Sequence, residues 1–300
     1  MNKITTENEE ILTIRKDIDN LDNSLLELLQ KRMNLIAKVA KIKSSNNDKF
    51  FIRSAREADM IKNLTNNLPN SLPKSTIVNI WRRIITTANM YEQPIKIGIH
   101  NPKNLFEYEY VVRSYYGDII PIINFDSTNS VVAALEKGEV QIGIFALPTK
   151  SFEDGENISD RNLKENWWAS LANNKLGIKI FAKLPFTENE DSKQNHLQPL
   201  VAVAIKPAEQ SQEDKTLLYV EIDSEINEAK LSQELQQSGL SAKIIRFIRL
   251  SKIDHVTFCL VEVNGFIDES SSQLQQFHKS PIKPYSKVLG HYPTTILIKS

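Results

Sequence analysis

Residues 11–43 read ILTIRKDIDNLDNSLLELLQKRMNLIAKVAKIK, and their apolar positions decide how the first part of the chain folds. Apolar side chains recur in alternating steps of three and four, at Ile11, Ile14, Ile18, Leu21, Leu25, Leu28, Leu35, Val39 and Ile42. This heptad spacing predicts one long helix with a seam that packs against another helix. Residues that break helices are absent from this stretch, which also favours a long helix: all nine glycines lie at or after Gly98, and the first proline is Pro69.

The same helix carries cations in its apolar seam and immediately beside it. Arg32 occupies the seam position between Leu28 and Leu35, while Arg15 and Lys43 share one heptad position on the flank of the seam. A guanidinium in a helix–helix seam is costly unless it is paired. Two interpretations stay open: a polar residue that sets the register of a coiled coil, or a pocket for a small polyanion.

The spacing of these cations indicates a second chain. Arg15 and Arg32 are about 25 Å apart along a helix axis, so one helix cannot bring both to one small ligand. If both serve one ligand, Arg15 comes from an antiparallel copy of the chain. The seam also requires a partner helix, so the sequence predicts a homodimer through the N-terminal helices.

Two shorter helices are expected next. The first begins in RSAREADM at residues 53–60, where Ser54 and Glu57 have the spacing of a capping box, although Glu57 also has the character of a site residue. The second begins near Pro73 and runs to about Gln93. Ala88 and Glu92 lie four residues apart near its end, so they share one face.

The composition excludes several classes of protein. With 41% hydrophobic and 25% charged residues, the 300-residue chain is expected to be globular, and its zero net charge gives no argument for nucleic acid or an anionic membrane. Cys259 is the only cysteine, and the five histidines lack metal-ligand spacing, so no metal site is predicted. The N-terminus resembles no signal peptide and no apolar run is long enough to cross a bilayer, so a cytoplasmic location is expected.

From Pro94 the sequence changes to short β-rich runs separated by turns, and a polar segment at 207–215 precedes another such block. These shifts predict a multi-domain chain: an all-α domain of three helices at 1–93, an α/β region at 94–210 and an α+β domain at 211–300.

The helical part resembles a known family. Residues 12–43, the RSAREADMI stretch and IWRRIITTANMYEQ are together similar to the all-helical chorismate mutase domain. The resemblance implies an enzyme that rearranges chorismate, a small dicarboxylate, to prephenate in aromatic amino acid biosynthesis, the shikimate pathway. Such an isomerase needs no cofactor, because the reaction is intramolecular and requires the substrate to be held in one compact conformer.

The resemblance also implies roles for individual residues. The implied substrate-binding residues are Arg15, Arg32, Lys43, Arg53, Arg56, Glu57 and Ala88. Lys43, Glu57 and Glu92 are the implied catalytic residues, with Arg15 reaching across the dimer. Lys43 would stabilise charge on the breaking ether oxygen. Many members have glutamine where Glu92 stands, and a glutamate can donate a hydrogen bond only when protonated.

The C-terminal part departs from the families it resembles. Residues 95–148 are similar to the first lobe of prephenate dehydratase, and the end of the chain, with LGHYP at 289–293, is similar to an ACT domain. The dehydratase Thr-Arg-Phe motif is missing where the chain reads LQPLVAVAI. We therefore expect a chorismate mutase without dehydratase activity. The alternatives are a bifunctional mutase–dehydratase and a non-enzymatic ligand-sensing protein on an inactive mutase domain.

Overall fold

The computed structural model describes residues 2–45, 52–69, 71–148, 166–189, 197–249 and 255–298. The chain divides into two compact units. The first unit contains the opening helix and residues 87–94, and the second contains residues 52–86 and the described residues from 95 onward. The second unit thus combines parts of what the sequence divides into three domains, and the predicted boundaries stay a prediction.

The first helix, α1, spans Asn2–Ser45 and is unbroken over its 44 residues, as the heptad pattern predicts. The seam residues are exposed, from Ile11 and Ile14 through Leu25 to Leu35 and Ile42. A helix that presents a continuous apolar stripe to solvent has its hydrophobic surface available for association.

Helix α2 spans Ser54–Asn66 and helix α3 spans Lys74–Glu92, close to the predicted limits. The buried residues of α2 are spaced by one, three or four positions, as expected for one face of a helix: Ser54, Ala55, Ala58, Ile61 and Thr65. Helix α3 contributes residues 74–86 to the second unit and residues 87–92 to the first.

An α/β region follows the helices. Its elements are β1 (Ile97–His100), α4 (Phe106–Tyr116), β2 (Ile122–Phe125), α5 (Thr128–Glu136), β3 (Ile142–Ala146), α6 (Trp167–Ala172), β4 (Ile178–Leu184), β5 (Thr187–Asn189) and β6 (Leu200–Ile205). Strand β1 pairs in parallel with β2 and β3, and β6 pairs antiparallel with both β3 and β4. The three parallel strands are joined by helices, as a parallel connection requires.

The rest of the chain alternates strands and helices in a βαββαβ order. Its elements are β7 (Asp214–Asp223), α7 (Glu228–Gln237), β8 (Ala242–Arg249), β9 (Val256–Asn264), α8 (Ser272–His278), β10 (Tyr285–Pro293) and β11 (Ile296–Ile298). The antiparallel strands lie in the order β10-β7-β9-β8, which is the split βαβ arrangement of ferredoxin-like folds. The sequence prediction of an α/β region followed by an α+β region is confirmed.

One sheet of nine described strands joins both regions, in the order β2-β1-β3-β6-β4-β10-β7-β9-β8. The junction is the parallel pairing of β4 with β10 at Ile180 and Gly290. Gly290 has a φ of +148°, and a Cβ there would collide with the backbone of Ile180. Only glycine allows this close approach, which accounts for the glycine in LGHYP.

Each face of the β7–β10 sheet is buried in a different core. One face packs under α7 and α8 around Leu231, Leu235 and Phe277. The other joins the core of the α/β region, where Trp167 and Trp168 are buried, as expected of packing residues. No described helix is long and apolar enough to cross a membrane.

Candidate functional site

The first unit brings together two of the predicted site residues. Lys43 lies in the last turn of α1, and Glu92 is the last residue of α3. The Nζ of Lys43 donates to Oε2 of Glu92 at 3.2 Å, with side chains that are 20% and 8% exposed. The face that Ala88 and Glu92 were predicted to share is buried, since Ala88 is only 4% exposed. Glu92 is therefore an interior residue.

The two arginines of α1 differ in their surroundings. Arg32 is partly buried, and its Nη1 atom is inaccessible to solvent. Arg15 is exposed on the same helix as the exposed apolar seam. The cation in the seam is thus the one that is withdrawn from water, while the flanking arginine projects from the unit.

In the second unit, the start of α2 resolves the question of the capping box. The N-cap is Arg53, no side chain caps the helix, and Ser54 is already inside the helix. The Ser54 hydroxyl accepts instead from Lys206 Nζ at 3.5 Å. The capping-box interpretation of Ser54 and Glu57 is therefore wrong.

Glu57 pairs with a residue that sequence reasoning did not select. Its Oε2 accepts from Arg82 Nη1 at 3.3 Å, with the Glu57 side chain 12% exposed and the Arg82 side chain 3% exposed. The carbon of the Arg82 guanidinium lies 4.1 Å from the ring centre of Tyr115 and 4.2 Å from that of Phe186, and these two rings are at 90° to each other. Two aromatic faces at this distance favour the charged form of the guanidinium.

A second set of charges lies beside Glu57. The Glu209 carboxylate accepts from Arg53 Nη1 at 2.8 Å and from Lys206 Nζ at 3.3 Å. Lys206 also donates to the carbonyl of Ile52 at 3.2 Å. Burial lowers the pKa of Lys206, while Glu209 and Glu57 act in the opposite direction. The field of Glu57 thus reaches Lys206 as well as Arg82.

The remaining predicted residue of this unit, Arg56, is exposed. The two neighbouring arginines thus differ. Arg53 has a carboxylate partner, Glu209, from 156 positions away in sequence, whereas Arg56 lies at the surface of the unit. Arg32, Lys43, Ala88 and Glu92 belong to the first unit, and Arg53, Arg56 and Glu57 to the second.

The sequence contained a signal for Arg82 that went unused. Val78 and Ile85 lie four residues before and three residues after it, and both are buried. A cation at helical spacing between buried apolar residues is the same signal that identified Arg32 in the seam. Lys206 and Glu209 lie in a polar segment and carried no such pattern. Among the described residues, no group of three His, Cys, Asp or Glu side chains is arranged to hold a metal ion.

Comparison with known proteins identifies the helical segment. Residues 14–93 match the family described as chorismate mutase type II. The chain is 26% identical to the bifunctional chorismate mutase/prephenate dehydratase of Pseudomonas aeruginosa over 153 residues, which is 49% of this chain and 40% of that protein. It is 30% identical to the protein of the same description from Aquifex aeolicus over 104 residues, 34% of this chain and 29% of that one.

Among solved structures, prephenate dehydratase from Streptococcus mutans is similar with a TM-score of 0.44 and 14% identity, over 69% of this chain and all of that one. The chain thus spans less than half the length of the curated relatives it matches. The family match covers the long helix with Arg15, Arg32 and Lys43, then the Arg56–Glu57 pair, and it ends one residue after Glu92. Residues 14–93 therefore belong to the chorismate mutase type II family.

Proposed function

We propose that the protein is a chorismate mutase. The observation that carries the proposal is the ion pair between Lys43 and Glu92, since the resemblance assigns both residues to the ether oxygen of the substrate. A lysine and a carboxyl group that share a poorly solvated position supply the electrostatic control that this reaction requires. The rearrangement breaks a C–O bond and forms a C–C bond within one molecule, so the residues must orient the substrate and balance its charge.

Each carboxylate of the substrate is assigned an arginine. Arg32, whose Nη1 is withdrawn from water, binds one carboxylate of a substrate in its own chain. Arg15 binds the other from a second chain. Arginine suits both positions because its planar fork grips a carboxylate in a fixed orientation. In the same proposal Glu57 accepts a hydrogen bond from the substrate hydroxyl.

The exposed seam of α1 supports a homodimer. The seam residues Leu21, Leu25, Leu28 and Leu35 are each more than half exposed, on a helix of 44 residues. Apolar surface of this extent on a soluble chain marks an association site. The heptad spacing fits a second copy of the same helix, and the exposed Arg15 lies on the helix that the partner would contact.

The direct test follows the loss of chorismate and the appearance of prephenate with purified protein. We expect turnover that falls by about 100-fold in Lys43→Met, because a charge-assisted contact to the ether oxygen is lost. Lys38→Met is the matched control, since Lys38 is exposed on the same helix and should leave the rate unchanged. Absence of turnover in the wild-type protein would contradict the proposal and favour a ligand-sensing role.

We also propose that the α/β region performs no prephenate dehydratase reaction. A cavity of about 350 Å³ lies at the carboxyl ends of β1 and β3, where open α/β sheets bind ligands. Its described lining includes His100, Lys103, Trp167 and Arg246, and it includes no threonine, aspartate or glutamate. The cavity therefore offers cations for an anion, and His100 and Tyr108 are the groups of its described lining that can exchange a proton. The described lining lacks the threonine of the dehydratase Thr-Arg-Phe motif, which is the observation that supports this part of the proposal.

The experiment supplies prephenate at neutral pH and measures phenylpyruvate against a reaction without protein. The expected result is equal formation in both. Phenylpyruvate formed in proportion to the protein concentration would overturn this part of the proposal and indicate a bifunctional enzyme. The mutase proposal is tested independently, because it concerns prephenate formation and not prephenate consumption.

A further inference from the structure

A cavity of about 400 Å³ lies in the second unit, and its described lining contains none of the predicted site residues. It is lined by α3, α4 and the segment around β5, with Arg82 and Phe186 among its walls. Val78, Leu197 and Ile298 give the cavity apolar walls, and Asn79 and Tyr110 add polar atoms. The volume falls in the range of pockets that bind small molecules.

Arg82 lines this cavity and has two donors without a partner among the described residues. Its Nη1 donates to Glu57, but its Nε and Nη2 atoms are buried and have no hydrogen-bond partner among the described residues. A buried donor without a partner costs about 1–3 kcal/mol. Nε and Nη2 are the two parallel donors on one edge of the guanidinium, the pair that a carboxylate accepts from in a bidentate contact.

The surroundings of Arg82 hold that edge in place. The rings of Tyr115 and Phe186, at 90° to each other, both contact the guanidinium, and Glu57 binds Nη1. The donors are therefore oriented before any ligand arrives, so little conformational entropy is lost on binding.

The local charge also favours an anion. Burial raises the pKa of Tyr115 to about 12, with Arg82 acting against the shift, so the phenol beside the guanidinium is neutral at physiological pH. The carboxylate that pairs with Arg82, Glu57, also acts on the charge of Lys206, so it does not serve Arg82 alone.

We propose that this cavity binds a small organic carboxylate, with the carboxylate accepting from Nε and Nη2 of Arg82 and an apolar body against Val78, Leu197 and Ile298. A monocarboxylate fits better than inorganic phosphate, because a single guanidinium and apolar walls do not replace the hydration of a dianion. The lining of this cavity contains none of the mutase residues of the proposed function, and one of those residues, Glu57, touches the site only through its contact with Arg82 Nη1.

Phenylacetate is a suitable probe, since it joins a carboxylate to an apolar ring, and phenylacetamide has the same shape without the charge. In calorimetric titrations of the full chain we expect saturable binding of one phenylacetate per chain, and binding of phenylacetamide weaker by about tenfold or more. Inorganic phosphate should bind more weakly than phenylacetate. This comparison uses the wild-type protein, so it does not depend on the folding of any variant.

Two variants locate the site. Arg82→Lys keeps the charge but loses the fork, and we expect phenylacetate affinity to fall by about tenfold. Asn79→Phe places a ring at the cavity wall from an exposed position and should reduce binding similarly, whereas Thr76→Phe, also exposed on α3 but outside the lining, should bind as the wild type does. Circular dichroism of each variant verifies that it is folded.

Three results would overturn the proposal. One is the absence of saturable phenylacetate binding by the wild-type protein. Another is equal binding of phenylacetate and phenylacetamide, or tighter binding of phosphate than of either. The last is unchanged phenylacetate affinity in folded Arg82→Lys and Asn79→Phe proteins, which would move the binding to another place.

Discussion

The Nζ of Lys43 lies 3.2 Å from Oε2 of Glu92, so the end of α1 and the end of α3 are joined by an ion pair that spans 49 positions of sequence. The pair is mostly withdrawn from water, and a substrate that needs Lys43 has to compete with Glu92 for it. The effect of Glu92 on catalysis is therefore the sharpest test of the proposed site.

We expect Glu92→Gln to raise kcat/KM at neutral pH by roughly tenfold, the change that about 1.4 kcal/mol of transition-state stabilisation produces. An ionised carboxylate repels charge that develops on the ether oxygen, whereas an amide donates a hydrogen bond to it. The measurement is kcat/KM from about pH 5 to about pH 9 for both proteins. Gln93→Ala is the control for the neighbouring position, and identical profiles for the wild type and Glu92→Gln would contradict the idea.

The shared-site proposal makes a prediction for mixed dimers. Arg15→Ala and Arg32→Ala should each lower kcat/KM by about 100-fold, because each removes a carboxylate contact. After the two variants are refolded together in equal amounts, activity should return to about a quarter of the wild-type level, since half of the dimers then contain one intact site of two. A mixture that remains inactive although heterodimers are present would exclude a site built from two chains.

The buried pair of Glu57 and Arg82 should be costly to break. Arg82→Met leaves the Glu57 carboxylate poorly solvated, so we expect the free energy of unfolding to fall by about 3–5 kcal/mol. Arg83→Met is a matched control, because the neighbouring Arg83 pairs with Asp118 at 3.0 Å through side chains that are 57% and 68% exposed. Such a surface pair contributes about 0–1 kcal/mol.

Urea unfolding followed by circular dichroism provides the measurement, and the double variant with Glu57→Gln completes the cycle. The double variant should lose less stability than the sum of the two single variants, because neither charge is then left without its partner. Additive losses would show that Glu57 and Arg82 do not stabilise each other.

The Glu262 carboxylate should make stability depend on pH. Burial alone would raise its pKa, but hydrogen bonds from Lys215 at 2.5 Å and from Tyr292 outweigh that effect and hold the pKa below its ordinary value. The folded state therefore binds the proton less tightly than the unfolded state, and the contribution is complete above the unfolded pKa and lost as pH falls through the folded one.

We expect Glu262→Gln to lower the free energy of unfolding at neutral pH, and the difference from the wild type to shrink in acid. Urea titrations at a series of pH values measure it, with Glu136→Gln as the exposed control. A difference that stays constant from neutral to strongly acidic pH would show that the ionised carboxylate is not what stabilises this part of the sheet.

The sequence indicated which polar residues are withdrawn from solvent where a helical repeat defines an interior face; their role in a site stays a prediction. Arg32 was identified because it replaces an apolar seam residue, and Glu92 because it shares a face with Ala88. The same reasoning left two interpretations of Glu57 open, since a capping box and an interaction with a distant partner use the same residue types. The N-cap at Arg53 and the contact with Arg82 exclude the capping box.

The sequence by itself determined the long helix α1, the two shorter helices and the change to α/β structure after Pro94, because periodicity and the positions of glycine and proline act over short distances along the chain. Only the tertiary structure decided that β4 pairs with β10 through Gly290, that Arg53 meets Glu209 and that Arg82 contacts the rings of Tyr115 and Phe186. These contacts join residues up to 156 positions apart. They depend on which buried surfaces pack together and on which partner neutralises a buried charge, and no local pattern encodes either choice.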